Sequence, residues 1–336
     1  MLEIKALGAK ILGGCCGTTP IHIQKTAELL KNNPIEKVKK ISVKAEEKHE
    51  KKAEQDRING KFTAAELDPP KNADASFVSA AAFALKEAGA DIITLTDSPL
   101  AKARADSVIT AARLLRDTGC RTMPHITCRD KNHIALKGAV LGAYFEGIRD
   151  ILAVTGDPVS EDRLSGMKGI FSFNSFGLIA FIKTLNEQEF ADDPIKISAA
   201  LNINAPNFDK ELLRAEKKLK AGADRLVTQA VFSDSAKENL KKTKKCLDVQ
   251  LLAGIMPVAS YKNAVFLNNE VSGIELPQAF IKSLENESAE SVREKSLTFC
   301  ADIMKEIKDF CDGYYIMTPL KKADMTAELV KIGKSL

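Results

Sequence analysis

From residue 61 onward the chain repeats one pattern eight times: a short apolar run, then a stretch of helical periodicity. The apolar runs lie at 62–67, 91–97, 122–128, 150–157, 196–202, 225–232, 249–257 and 313–319. The helical stretches lie at 74–89, 104–117, 131–145, 174–188, 208–221, 235–246, 259–269 with further helix to 310, and 323–335. An unbroken apolar run such as Ile151 to Val154 suits a strand buried on both faces, as in a parallel sheet. Gly89-Ala-Asp and Gly222-Ala-Asp read as helix ends feeding the next strand. Eight strand–helix pairs in about 275 residues fit a (β/α)8 barrel in length and order. A doubly wound sheet is the alternative, but no Gly-x-Gly-x-x-Gly follows the first strand.

The ends of these runs carry the polar groups. They give Glu66 and Asp68; Thr96 and Asp97; His125, Thr127 and Cys128; Thr155 and Asp157; Asn202 and Asn204; Thr228 and Gln229; Pro257 with Ser260; and Thr318. In a barrel the C-terminal strand ends converge on one mouth, where ligands bind. Asp157, in Thr155-Gly-Asp-Pro158, taken alone is equally a turn residue. The recurrence of polar strand ends points to a catalyst, because polar groups there cost free energy unless they are used or paired.

Composition narrows the class. Net charge is +4 with acids and bases mixed, so there is no basic stripe for nucleic acid. No run of about 18 apolar residues indicates a membrane span, and the start lacks a secretory pattern. The cysteines are Cys15, Cys16, Cys120, Cys128, Cys246, Cys300 and Cys311. An odd count without an export signal predicts free thiols in the cytoplasm.

The first 60 residues differ from the rest. Residues 9–20 read as a short strand entering a glycine-rich turn, and 21–30 as a helix capped by Thr18 or Thr19 with Pro20 in its first turn. Cys15 and Cys16, between glycines, can converge on a soft metal such as zinc, or form a tight turn with unreactive thiols. Residues 34–60 are dense in Lys and Glu and poor in large apolar side chains, which reads as a charged linker. The expected division is 1–33, 34–60 and 61–336.

Two resemblances follow. Gly13-Gly-Cys-Cys-Gly-Thr-Thr-Pro20 resembles the last strand–helix unit of the homocysteine S-methyltransferase barrel, in which the vicinal cysteines and one upstream cysteine bind zinc. Only about one unit of eight is covered and the third ligand is missing. The head is therefore expected to be a remnant of a fused methyltransferase, with no functional metal at Cys15 and Cys16. Residues 61–336 resemble the flavin-dependent methylenetetrahydrofolate reductases. The matching segments are Thr63-Ala-Ala-Glu-Leu-Asp-Pro-Pro70, Pro124-His-Ile-Thr-Cys128, Ala153-Val-Thr-Gly-Asp-Pro158, Ala221-Gly-Ala-Asp-Arg-Leu-Val-Thr-Gln229, Ala253-Gly-Ile-Met-Pro-Val258, Met317-Thr-Pro319 and Ala323-Asp-Met325, in the family's order.

That resemblance implies a cytoplasmic reductase. NADH or NADPH gives a hydride to FAD, and the folate then takes it on the same flavin face in a ping-pong sequence. Glu66 matches the general acid, for which burial that raises the pKa suits the task. Its other reading is a helix-start Glu before Pro69-Pro70. Asp157 matches the acid beside flavin and pterin, where a carboxylate can accept two donors and tune the flavin potential. Gln229 matches a substrate contact able to donate and accept, or is a satisfied strand-end amide. Thr96, His125, Thr127, Thr155 and Gly156 match flavin-ring contacts. Asn174 and Ser175 open a helix whose N-terminus would hold the flavin chain or the adenine side. Lys217 and Lys218 match a pair at the FAD pyrophosphate, or form one solvated helix face. Lys322 falls near the family's substrate arginine. In Leu201-Asn-Ile-Asn-Ala-Pro206 an aromatic and a histidine of some relatives give way to Leu201 and Ala205, on the adenine side. The expected partners are small molecules, with a homo-oligomer or a methyltransferase subunit. The competing readings are a zinc-dependent methyltransferase fragment and a non-catalytic barrel that docks a methyltransferase or corrinoid protein.

Overall fold

The structure is a computed structural model, and it describes residues 1–6, 9, 11–33, 60–158, 169–271 and 273–336. The chain divides into two compact units, Met1–Arg57 and Ile58–Leu336. In the first, α1 (Leu2–Ala6) and α2 (Pro20–Asn32) are helices. Thr19 is the N-cap of α2, and its backbone N–H donates to His22 Nδ1 at 3.1 Å. The strand expected at the start of 9–20 is absent: residues 9 and 11–15 are irregular. A barrel strand needs a neighbour on each side to satisfy its N–H and C=O groups, and this unit offers none among the described residues. The charged linker expected at 34–60 lies outside the described residues except for Gly60.

The second unit is a closed barrel of eight parallel strands in sequence order. The strands are β1 (Phe62–Leu67), β2 (Ile92–Leu95), β3 (Thr122–Thr127), β4 (Asp150–Val154), β5 (Lys196–Leu201), β6 (Arg225–Ala230), β7 (Gln250–Ile255) and β8 (Gly313–Met317). Around them lie α3 (Ser76–Glu87), α4 (Ser107–Thr118), α5 (His133–Phe145), α6 (Ser175–Gln188), α7 (Phe208–Lys220) and α8 (Asp234–Cys246). After β7 come α9 (Tyr261–Glu270), α10 (Gln278–Ser283) and α11 (Ala289–Ile307), and α12 (Ala323–Ser335) closes the ring. The (β/α)8 barrel read from the repeat is the fold.

Local chemistry sets the ends of these elements. Asp106 caps α4 by accepting from Val108 N and Ile109 N. Gly89 ends α3 at φ +95°, so that Gly89 N reaches Lys86 O at 2.9 Å and Ala90 N reaches Leu85 O at 3.0 Å. Only glycine takes that left-handed position without cost, and it turns the chain directly into β2. Strand residues of one parity fill the barrel and those of the other pack under the helices. Ile92, Ile93, Leu95, Ile126, Ile151 and Ile197 are fully buried. Several strands stop earlier than their apolar runs suggest. β4 ends at Val154 because Gly156, at φ +93°, leaves the extended region.

The floor of the barrel is ionic. Arg225 Nη1 donates to Asp150 Oδ1 at 3.2 Å, and Arg121 Nη2 donates to Asp150 Oδ2 at 2.7 Å. Arg225 Nε also donates to Gln250 Oε1 at 2.8 Å, and its guanidinium lies over the Phe62 ring at 5.0 Å. The Arg225 and Asp150 side chains are each 2% exposed. These residues begin their strands, so the cluster sits at the end away from the mouth.

Candidate active site

Glu66 is the penultimate residue of β1, and its register partners are Thr94 on β2 and Met317 on β8. Its side chain points into the barrel. Tyr315, two residues below Met317 on the same inward parity, donates its hydroxyl to Glu66 Oε2. The same hydroxyl lies 3.0 Å from His125 Nε2 and accepts from Thr94 Oγ1 at 3.2 Å. Four strands thus bring a carboxyl, a phenol, an imidazole and a hydroxyl into one cluster. No cation pairs with Glu66 among the described residues.

Burial dominates the electrostatics here. It pushes the Glu66 carboxyl up to about 7; the Tyr315 hydrogen bond pulls the other way and the Asp68 charge adds to the rise. Burial pulls His125 down to about 4 against the opposing charge of Asp97, so the ring is neutral near pH 7. The Tyr315 phenol is held well above its ordinary range by burial and by the neighbouring Glu66. Glu66 is therefore a carboxyl that can carry a proton at neutral pH, which is what a general acid needs.

The remaining mouth residues are arranged as follows. Thr96 Oγ1 donates to Asp68 Oδ1 at 2.6 Å, while Arg104 pairs with Asp68 Oδ2 at 2.8 Å. Thr127 gives both its N–H and its hydroxyl to Asp97 Oδ2, at 3.0 and 2.9 Å, and Lys131 lies 3.4 Å from the same oxygen. Thr155 and Asp157 are exposed. Thr155 Oγ1 accepts from Ser175 N at 3.3 Å, and Asp157 Oδ2 accepts from Leu100 N at 2.6 Å. Between them, a Cβ added to Gly156 would meet Thr127 and Arg129 at 3.0 Å, so the loop lies flat on the end of β3. Asn174 caps α6 by accepting from Gly177 N. The register between β6 and β7 shifts between Val227 and Ala230, where Gly254 N donates to the Thr228 hydroxyl at 2.8 Å. Gln229 Oε1 is buried without a hydrogen-bond partner among the described residues.

Lys217 and Lys218 separate. Lys217 is exposed, whereas Lys218 is buried, with Nζ on the Ala200 carbonyl at 2.5 Å and 5.9 Å from the Phe176 ring. Burial lowers the Lys218 ammonium. No carboxylate pairs with it among the described residues. Lys322 is exposed at the start of α12. A cavity of about 540 Å³ opens beside the end of β1, lined by Asp68, Pro69, Phe77, Arg104, Leu320 and Lys321 among others. Cys15 and Cys16, in the first unit, are exposed with their sulfurs 3.8 Å apart.

Tyr315, Thr94, Arg104 and Arg129 escaped the sequence reading. Tyr315 sits beside Tyr314 in an apolar run, and only the register with Glu66 reveals which of the two faces inward. Arg129 is buried, pairs with Asp130 at 2.6 Å, and donates to Ser98 O at 3.1 Å, which ties down the loop after β2.

The fold and mouth define a class: a (β/α)8 barrel whose mouth holds a carboxyl raised toward neutrality beside a phenol and an imidazole. Comparison with known proteins narrows it. Residues 48–333 match the family model of methylenetetrahydrofolate reductase, and the chain belongs to that family. Residues 1–30 match the model of homocysteine S-methyltransferase. A 5,10-methylenetetrahydrofolate reductase of Buchnera aphidicola subsp. Acyrthosiphon pisum is 23% identical over 234 residues, covering 66% of this chain and 74% of the relative. That of Salmonella typhimurium is 29% identical over 153 residues, 44% of this chain and 47% of the relative. The chain thus matches about half the length of the latter. A solved structure from Clostridium thermocellum, of an uncharacterized protein that binds two copies of 5-methyl-5,6,7,8-tetrahydrofolic acid, has the same fold. Its TM-score is 0.55 over 83% of this chain and 95% of that one, at 13% identity. Among the described residues no helix is long and apolar enough to cross a membrane.

Proposed function

We propose that this chain reduces 5,10-methylenetetrahydrofolate to 5-methyltetrahydrofolate, with FAD as cofactor and NADH or NADPH as donor. The observation that carries the reading is Glu66, a half-buried carboxyl raised to about 7 with no cation paired to it among the described residues. Glu66 gives its proton to a nitrogen of the methylene bridge. The carbon–nitrogen bond on that side breaks, and the iminium left on the other nitrogen is the hydride acceptor. Gln229 Oε1, unpartnered among the described residues, suits the donor edge of a pterin, and so does the exposed Asp157 carboxylate.

The residues also fit the cofactor. FAD, when bound, carries the hydride from nicotinamide to folate. Thr96, His125, Thr127, Thr155, Gly156 and Asp157 would hold its ring; Asn174, Ser175, Lys217 and Lys218 would hold the chain and pyrophosphate. Lys218 supports this most directly, because a buried ammonium hydrogen-bonded to a carbonyl, with no carboxylate in contact among the described residues, suits an anion. Lys322, exposed and next in sequence to Lys321 of the cavity wall, would offer a cation to the folate tail.

We read residues 1–33 as the tail of a methyltransferase-like unit and 34–60 as its linker, and a homo-oligomer or a separate methyltransferase subunit as the protein partner. Metal analysis of the purified chain tests the zinc alternative: substoichiometric zinc is expected at Cys15 and Cys16. The reductase reading is tested by absorption. Flavin bands that bleach anaerobically with NADH or NADPH and return with methylenetetrahydrofolate support it. A protein that neither carries nor gains flavin bands would sink it and favour the docking barrel.

A further inference from the structure

Glu66 needs a neighbour that serves it in both protonation states. An ionised carboxylate buried away from cations needs a donor, and the protonated acid needs an acceptor for its own O–H. Tyr315 is the only group among the described residues shown hydrogen-bonded to the Glu66 carboxyl, and its hydroxyl carries one proton and two lone pairs. One lone pair is taken by the Thr94 hydroxyl at 3.2 Å. The proton has two places to go, Glu66 Oε2 or His125 Nε2 at 3.0 Å.

We propose that Tyr315 is a positioning residue for Glu66: its hydroxyl turns between the carboxylate and the His125 imidazole, so that the acid is hydrogen-bonded whether or not it holds its proton. With Glu66 ionised, Tyr315 donates to it. With Glu66 protonated, the acid donates to the remaining lone pair of Tyr315, and Tyr315 donates to His125 Nε2. This requires the His125 proton on Nδ1 and a neutral ring. Burial enforces the neutral ring. No bond to carbon changes and no net proton crosses the cluster; only the phenol O–H reorients. The other charges facing the cluster are already paired: Asp68 with Arg104 at 2.8 Å, and Asp97 with Lys131 at 3.4 Å.

The arrangement rests on the assignment of Glu66 as the acid, but its test needs no activity. The Glu66 carboxyl is titrated in the folate-free protein by carbon-13 NMR of labelled glutamate, with Glu66→Gln identifying the signal. Tyr315→Phe removes the one donor to the carboxylate among the described residues, so the Glu66 midpoint should rise by about one pH unit. His125→Leu leaves the phenol without an acceptor when the acid is protonated, so the midpoint should fall. Shifts of opposite sign are beyond a merely structural role. The folate half-reaction should follow, with its alkaline limb moving up in Tyr315→Phe and down in His125→Leu. A midpoint that stays in place in both variants, or moves the same way in both, overturns the proposal. Failure of the reductase reading appears separately, as wild-type protein whose reduced flavin is not reoxidised by methylenetetrahydrofolate.

Discussion

The barrel holds two buried polar clusters, one at each end, built on opposite rules. At the floor every charge has a counter-charge: Asp150 sits between Arg225 and Arg121. At the mouth the Glu66 carboxyl has a phenol, and an imidazole beyond it, but no paired cation among the described residues. Paired charges stay charged and hold strands in place. An unpaired buried carboxyl keeps its proton instead, and a proton that can be given up is chemistry. The floor pair is almost fully buried and Glu66 is half-buried, so depth of burial does not mark the site. The charge balance does.

Removing one carboxylate charge from each cluster should break the comparison most sharply. Asp150→Asn leaves Arg225 buried beside a neutral amide and should lower stability by about 3–5 kcal/mol in denaturant titrations. Glu66→Gln, measured at pH 6, replaces a neutral acid with a neutral amide and should change stability by less than about 1 kcal/mol. Equal losses at the two sites would deny the distinction.

The pH dependence sharpens it further. Glu66 has a folded value of about 7 against an ordinary 4.5, so the native state holds a proton the unfolded chain has lost between those values. Its contribution to stability therefore falls as pH rises through that window, by on the order of 3 kcal/mol in total. His125, at about 4 against 6.5, binds fewer protons when folded, so its contribution rises from about pH 4 to 6.5. The two oppose each other in the wild type. Thermal unfolding of Glu66→Gln should then show stability rising with pH across this range, and His125→Leu should show it falling.

Two smaller effects test the ligand side of the mouth. Lys218→Met should leave the flavin-free protein as stable as the wild type or more so, since it removes a buried cation that no carboxylate contacts among the described residues. It should weaken FAD binding by roughly tenfold, read by fluorescence titration. Gln229→Leu removes an unpartnered acceptor and should cost little stability, but it should raise the KM for folate by about tenfold, the worth of one hydrogen bond to a buried polar group. A large stability loss in either variant would make the residue structural.

The fold was legible because parallel strands buried on both faces are written as unbroken apolar runs, and all eight runs contain a strand. Strand ends were less so. Thr155, Gly156 and Asp157 read as a continuation of β4, whereas the positive φ of Gly156 puts them in the loop. The further helix to 310 proved to be two helices, parted before Ser288, which caps α11 by accepting from Ser291 N, and a closing 3-10 turn at Lys308–Phe310. In the site, Glu66 and His125 were visible as polar residues at strand ends. Tyr315 was not, because its phenol lies within an apolar run and its partners are 190 and 249 residues away in sequence. Arg225 and Asp150 were visible only as strand starts. Pairing across a barrel follows from closure and register, which periodicity does not encode.

The most direct test separates the two half-reactions in Glu66→Gln by anaerobic stopped-flow absorption. Flavin reduction by the nicotinamide should proceed as in the wild type, while reoxidation by methylenetetrahydrofolate should slow by about two to four orders of magnitude, the usual worth of a general acid. Reoxidation at the wild-type rate would contradict the account, because the proton would then come from elsewhere and the uncompensated carboxyl at the mouth would have no chemical role.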